Sequence, residues 1–274
     1  MTTLAQVHAA VEELWPAASA EDWDEVGLVV GNPSQQIAKI LLTVDVTSAV
    51  VAEAVAQQVD LIIAHHPLLL RGVSSIAETT PRGRMLVSLA RNECALLTAH
   101  TNADIVDSGT SGGIARSLGL ENVLPIEETF TRDGKALGLG RVGSLPNAIT
   151  LGALARALAA LAPATATGIR VAGDYQTMVQ RVALCGGAGD SLLNANAVRE
   201  ADVYITSDLR HHPASDAREA HLAGEGPALI DISHWASEWL WLSSAAEELA
   251  AQLPGVSVQV SDLRTDPWDF LVQQ

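Results

Sequence analysis

The sequence predicts an α/β protein made of two similar βαβ-based lobes, and three observations carry that reading. Short, continuous apolar runs end in polar motifs, as buried strands do. Ala/Leu-rich stretches of helical period lie between them. The chain also repeats itself: Lys39–Ile63 aligns without gaps to Arg181–Ile205, with Asp60 falling on Asp202 and Ser48 on Asp190, helix N-cap types both. Each copy reads strand, helix, strand, which is a βαβ crossover. Each then runs into His-His-Pro, directly at His65-His66-Pro67 and after a four-residue insertion at His211-His212-Pro213. Duplication of this kind predicts two lobes facing each other across a pseudo-two-fold, with a site in the cleft between them.

The elements follow in order. Val7, Ala10, Val11, Leu14 and Trp15 share one face of an N-terminal amphipathic helix. Lys39–Leu42 is a strand, a helix follows from Ser48, and Asp60–Ile63 is the next strand. Ala95–Ala99 is a third, after which Asp107-Ser108 and Gly109, Gly112 and Gly113 open a helix over Ile114–Leu118. From Asn122 to Pro146 the chain carries Pro125, Gly134, Gly138, Gly140 and Gly143, and reads as strands and turns. Ile149–Leu161 is helical, and Pro163–Asp174 returns to strand and turn. Arg181–Leu184, Val203–Ile205 and Pro227–Ile232 are the strands of the second copy. The expected organisation is a first lobe over residues 1–124, a connecting segment over 125–175 and a second lobe over 176–274.

Composition narrows the function classes. A chain of 274 residues has material for one or two domains and an ample core. Its 48% hydrophobic content and mean hydropathy of +0.22 come mostly from Ala, Val and Leu, and no apolar run approaches the ~20 residues of a membrane span. The N-terminus lacks the basic region of a signal peptide, which points to the cytoplasm. Cys94 and Cys185 form no Cys-x-x-Cys motif and read as small buried hydrophobes. A formal charge of −16 argues against a nucleic-acid backbone as partner and for a solvated, repulsive surface.

The chemistry sits where the apolar runs end, at the mouth of a sheet. Val59–Ala64 delivers His65 and His66. Strict alternation would send them to opposite sides, whereas an irregular turn at Pro67 would let both line one cavity and bind metal, or simply hydrogen-bond through the turn. Ala95–Ala99 delivers His100-Thr101-Asn102-Ala103-Asp104, in which Asp104 is a candidate ligand or the centre of an Asx-turn. Pro227–Ile232 delivers Ser233-His234-Trp235-Ala236-Ser237-Glu238. If Ser233 caps a helix, His234 and Glu238 share its first-turn face and can meet at one metal, the alternative being an exposed ion pair. That every such run ends in donor atoms favours metal over the separate alternatives. His211 and His212 follow a polar turn and read as substrate contacts facing the cleft, the alternatives being ligands of a further metal or two loop histidines near the surface. Gly186-Gly187-Ala188-Gly189 after a strand could receive phosphate, but it lacks both the P-loop Lys-Ser/Thr and a full Gly-x-Gly-x-x-Gly. Among basic residues only Arg71 and Arg210 adjoin these motifs.

Five segments, Glu21-Asp22-Trp23-Asp24-Glu25-Val26-Gly27-Leu28, Ala64-His65-His66-Pro67, His100–Asp104, Cys185–Gly189 and His234–Glu238, stand together in an order that resembles the Nif-three-like dinuclear metal-centre proteins, often described as GTP cyclohydrolase I type 2 homologues. The resemblance covers nearly the whole chain. It implies metal ligands at His65, His66, Asp104, His234 and Glu238, with Glu238 bridging, and His100 behind them or facing substrate. Two divalent ions would then each have three protein ligands and open positions, as catalytic sites do. The N/O donors suit Zn, Fe, Mn, Co, Ni or Mg without choosing among them. The resemblance also implies a metal-dependent hydrolase acting on a small molecule, with GTP ring opening and formate release as the reaction the family's usual description implies and hydrolysis of a phosphoester or amide-like bond as the alternative for the same centre, and a ring-shaped homo-hexamer. The clustering of Trp235, Trp239, Trp241 and Trp268 supports an interface or a core in the second lobe. A protein that stores or delivers metal, or a regulatory scaffold, would carry the same ligands without turnover. Glu25, where the family has Asn, and Ser207, where it has Gly, depart from the pattern.

Overall fold

The computed structural model describes residues 1–273 as a mixed α/β protein that divides into two compact units. The first contains Met1–Ala103 and Leu242–Thr265; the second contains Asp104–Trp241 and the segment from Asp266 onward.

The first unit is built on a five-stranded sheet in the order Ser257–Val260, Lys39–Thr43, Leu61–Ala64, Ala95–Thr98, Gly27–Val30. The first four strands run parallel and Gly27–Val30 runs antiparallel to Ala95–Thr98. Leu61, Ile62, Ile63 and Ala64 are all buried, which is why this strand reads as unbroken apolar sequence rather than an alternation. The helices Ser48–Ala56 and Pro81–Arg91 lay Val50, Val51, Ala54, Leu86 and Leu89 on Leu41, Ile62 and Leu96. The N-cap of the first of these is Thr47, whose hydroxyl accepts from Val50 N at 3.2 Å; Ser48 is one residue inside the helix, correcting the cap read from the repeat. Thr3 and Gln6 close a capping box on the N-terminal helix Leu4–Leu14.

The second unit carries a six-stranded sheet ordered Arg170–Ala172, Ala228–Asp231, Val203–Ser207, Met178–Ala188, Arg141–Thr150, Glu121–Leu124. Its three middle parallel strands, Ala228–Asp231, Val203–Ser207 and Met178–Ala188, are flanked by antiparallel ones. Leu154, Leu158, Val182, Leu184, Val203, Ile205 and Ile230 fill one side of this sheet. A hairpin, Glu127–Arg132 with Lys135–Leu139, turns at Asp133 (φ 51°) and Gly134 (φ 76°), the left-handed pair a tight hairpin needs.

The repeat survives at the level of single hydrogen bonds. Asp60 Oδ2 accepts from Ala38 N (2.7 Å) and Lys39 N (2.8 Å), and Asp202 Oδ2 accepts from Gln180 N and Arg181 N, both at 2.8 Å. In each unit the aspartate before the second strand thus fastens the start of the first. Pairing is in matching register, Ile40 with Leu61 and Val182 with Val203. None of the described helices is long and apolar enough to cross a membrane.

Candidate metal centre

In the first unit three parallel strands end beside one another and release their donors together. The strand Leu61–Ala64 stops before the histidines, so alternation no longer governs them. The rings of His65 and His66 lie 5.1 Å apart, with His100 at 5.1 Å from His65 and 5.5 Å from His66. A donor nitrogen from each of the three falls within 4.8 Å of the other two. His65 is buried, while the side chains of His66 and His100 are 25% and 14% exposed.

Each ring is held by its Nδ1. His65 Nδ1 donates to the Ala99 carbonyl at 2.9 Å, His66 Nδ1 to Asp45 Oδ1 at 2.7 Å, and His100 Nδ1 to Asp24 Oδ1 at 2.8 Å. Carbonyl and carboxylate oxygens only accept, so the proton belongs on Nδ1 and Nε2 is the nitrogen each ring can present to a metal. Ligating histidines are braced in this way. The braces are themselves held. Thr265 Oγ1 donates to Asp45 Oδ2 at 2.6 Å, and Thr101 donates to Asp24 Oδ2 from its N (3.0 Å) and its Oγ1 (2.5 Å). Burial resists ionisation of Asp24, but the hydrogen bonds from His100 and Thr101 outweigh it and keep the carboxyl well below the usual range. Asp24 and Asp45 escaped the sequence reading. The only signal available was their position, Asp45 just beyond the strand Lys39–Thr43 and Asp24 inside the segment that carries the family resemblance. Trp23, 58% exposed, sets its edge against His100 at 5.8 Å. Glu25 is exposed.

The second unit holds a matching arrangement. Ser233 caps the helix His234–Gln252, accepting from Ala236 N at 3.4 Å. His234 and Glu238 meet as expected across one turn, Nε2 to Oε1, at 2.9 Å, and Glu238 is 3% exposed. His234 Nδ1 donates to Asp208 Oδ2 at 2.8 Å; that bond, above all, lowers the Asp208 pKa. Asp208 sits at φ 55°, directly after Ser207. Ser207 is fully buried and donates to Ser237 Oγ at 3.4 Å, and Ser237 Oγ accepts from Gly187 N at 2.9 Å. The residue that departs from the family pattern is therefore tied into the loop beside Glu238. A Cβ on Gly187 would collide with Glu238 Oε1 and stand 3.3 Å from His234 Nε2. Only glycine, here at φ 69°, leaves that carboxylate its place. Asp104 accepts from Thr110 Oγ1 at 2.5 Å. Its neighbours Ile105 and Val106 give their carbonyls to the buried guanidinium of Arg141, at 3.0 and 2.6 Å from Nη2.

His211 and His212 open the helix His211–Leu222 with both rings exposed and 5.3 Å apart. Among the described residues, no metal-capable group of three includes them. Arg210 pairs with Asp190 at 2.5 Å, so the acid beside the glycine turn is compensated.

The donor set fits a divalent transition-metal ion on two observations. The imidazoles are braced on Nδ1 as ligating histidines are, and Gly187 clears the space beside a buried carboxylate.

Known proteins resemble this chain along nearly its whole length. A Streptomyces coelicolor protein named GTP cyclohydrolase 1 type 2 homolog is 44% identical over 98% of this chain and 94% of its own length. A Mycobacterium tuberculosis protein of the same name is 32% identical, over 97% of each. Among solved structures, Staphylococcus aureus protein SA1388 superposes with a TM-score of 0.87 at 26% identity, covering 98% of this chain and 99% of that one. Reduced HcgD from Methanocaldococcus jannaschii does so with a TM-score of 0.78 at 25% identity, covering 96% and 98%. The family model for Duf34/NIF3 (NGG1p interacting factor 3) matches residues 2–267, and the chain belongs to that family.

Proposed function

We propose that this protein binds two divalent metal ions through His65, His66, Asp104, His234 and Glu238, with Glu238 bridging, and that it is a metal-dependent hydrolase of a small molecule. The observation that carries the reading is the bracing. Four imidazoles each have Nδ1 bonded to a fixed oxygen, one of them against a carboxylate that a glycine makes room for. When bound, such ions polarise a substrate oxygen and bring the pKa of water toward ~7.

The chain's own part is to orient and to hold protons. Asp45 and Asp24 keep the protons of His66 and His100 on Nδ1, and Asp208 does so for His234. Ring opening of GTP with release of formate is the reaction in keeping with the names of the relatives. His211 and His212 are candidates for substrate contact because their rings face solvent at a helix start. A cytoplasmic homo-hexamer is the proposed assembly.

The test is turnover. Metal-loaded protein should hydrolyse at least one member of a nucleotide and ester panel, GTP with formate as product foremost. Metal-free protein and Glu238→Gln should not. Tight, exchangeable metal with no turnover on any member would favour metal storage or delivery instead, a reading that the partial exposure of His66 and His234, 25% and 29%, would suit.

A further inference from the structure

We propose that Trp23 is a stacking platform for a planar heteroaromatic ring of purine type, so that the small-molecule substrate is one that carries such a ring. The inference rests on the reading above that the protein acts on a small molecule at a metal centre, and it names the class of that molecule.

The side chain stands where a ligand would meet it. The Trp23 indole is 58% exposed, and its ring centroid lies 5.8 Å from that of His100. His100 is in turn 5.1 Å from His65 and 5.5 Å from His66. The planes of indole and imidazole meet at 80°, so His100 covers at most one face of the indole. A ring laid on the other face stands beside the proposed metal ligands, within reach of them for the rest of the same molecule.

The backbone on both sides of this residue is tied down. Glu21 N donates to Thr101 Oγ1 at 3.0 Å, and Asp24 N donates to Glu21 O at 3.0 Å. The Asp24 side chain is fully buried and accepts from His100 Nδ1 and from Thr101 N. Trp23 is thus fastened to the segment that carries His100. Burial of an apolar ring is favourable, and this chain buries other indoles: Trp15, Trp235 and Trp241 are 5% exposed or less. A fixed indole left in water is a surface that a flat ring can cover with little ordering cost. Asp22 and Glu25 flank it and are both exposed. Their charges repel a phosphate from this spot, so the ring of a ligand lies here and its anionic part lies elsewhere.

The experiment compares ligands that share a phosphate and differ by the ring. GMP, AMP and ribose 5-phosphate are titrated calorimetrically into the full chain, with cobalt(II) and without it. Wild type should bind at least one of the two nucleotides about 5–150-fold more tightly than ribose 5-phosphate. Trp23→Ala should abolish that preference while leaving the affinities for ribose 5-phosphate and for cobalt unchanged. Trp23→Phe, which keeps a flat ring, should retain most of it. A preference that survives in Trp23→Ala overturns the proposal, and so does a wild type that binds all three ligands alike or none of them. Loss of cobalt binding in Trp23→Ala would make the indole a support for His100 and would overturn it too. If wild type binds no cobalt, the metal reading falls by itself, and the preference measured without cobalt still decides the stacking.

Discussion

Two single residues can be tested against nearly ideal controls. Gly187 and Gly119 share a left-handed φ, 69° and 68°, but a Cβ on Gly119 meets nothing within 4 Å, whereas one on Gly187 collides with Glu238. Gly119→Ala should therefore show only the left-handed backbone strain, about 1–2 kcal/mol of stability. Gly187→Ala should cost more and should also weaken metal binding, because Glu238 or His234 has to move. Denaturant melts and metal titrations of the two variants side by side check this, and equal behaviour would show that the carboxylate is not confined. Cys94 offers a pH test. Burial, with help from the nearby Asp60 charge, pushes its thiol up to about 12 from an ordinary 9.0. Above pH 9 the unfolded chain therefore gives up a proton that the folded chain keeps, so stability falls as pH rises from about 9 toward 12. The loss attributable to Cys94 should be about 1.4 kcal/mol between pH 8 and 10. Cys94→Ala should lose correspondingly less than wild type over that interval in urea unfolding.

At the scale of elements, the tie between Asp104 and the sheet of the second unit depends on one buried cation. Arg141 is 1% exposed and donates to four carbonyls, those of Gly138 (2.7 Å), Gly140 (2.6 Å), Ile105 (3.0 Å) and Val106 (2.6 Å). It clamps the segment that follows Asp104 onto the strand Arg141–Thr150. Arg141→Met removes four charge-assisted bonds from buried carbonyls, although Ile105 O and Val106 O keep backbone donors in Gly138 N and Gly109 N, and should destabilise the protein by about 3 kcal/mol, seen in the urea midpoint. Arg141→Lys, which keeps the charge but not the fork, should recover only part of it. Sequence reading passed over Arg141 because nothing adjacent to it suggests a site; two of the carbonyls it serves, those of Ile105 and Val106, lie far back in the chain. What was legible were the buried parallel strands, whose apolar runs need no partner to be recognised, and the donors at their ends. The helix Pro81–Arg91 was missed because Arg82, Gly83 and Arg84 dilute its apolar face, although Thr80 caps it and Pro81 opens it. Asp24 and Asp45 were missed because a loop aspartate declares no partner until the fold supplies one.

For the molecule as a whole, the sequence order does not announce that the chain comes back to its beginning. Ser257–Val260 pairs in parallel with Lys39–Thr43 and completes the first sheet, yet Ser-Val-Gln-Val is short and only half-buried, the signature of an edge strand with no apolar run to betray it. Thr265, just beyond, then reaches Asp45 behind His66, so the brace of that imidazole depends on a residue 220 positions beyond Asp45. The tail after that point has a different character. Trp268, Phe270, Leu271 and Val272 are 61%, 80%, 59% and 72% exposed, whereas Trp235 and Trp241 are buried and serve as core. Exposed aromatic and aliphatic residues in series are what a second copy of the chain would cover, which agrees with the proposed hexamer. Opposing it is a formal charge of −16 on every chain, so association should strengthen with moderate salt as that repulsion is screened. Light scattering at micromolar protein and ~0.15 M salt should give a mass near six chains. Removing residues 268–274 leaves Asp266 in place to accept from Ser233 Oγ at 2.7 Å, so the fold should survive while the mass falls. A truncated chain that still measures as six copies would show that the tail is not what holds them, and a full-length monomer at every salt concentration would refute the hexamer itself.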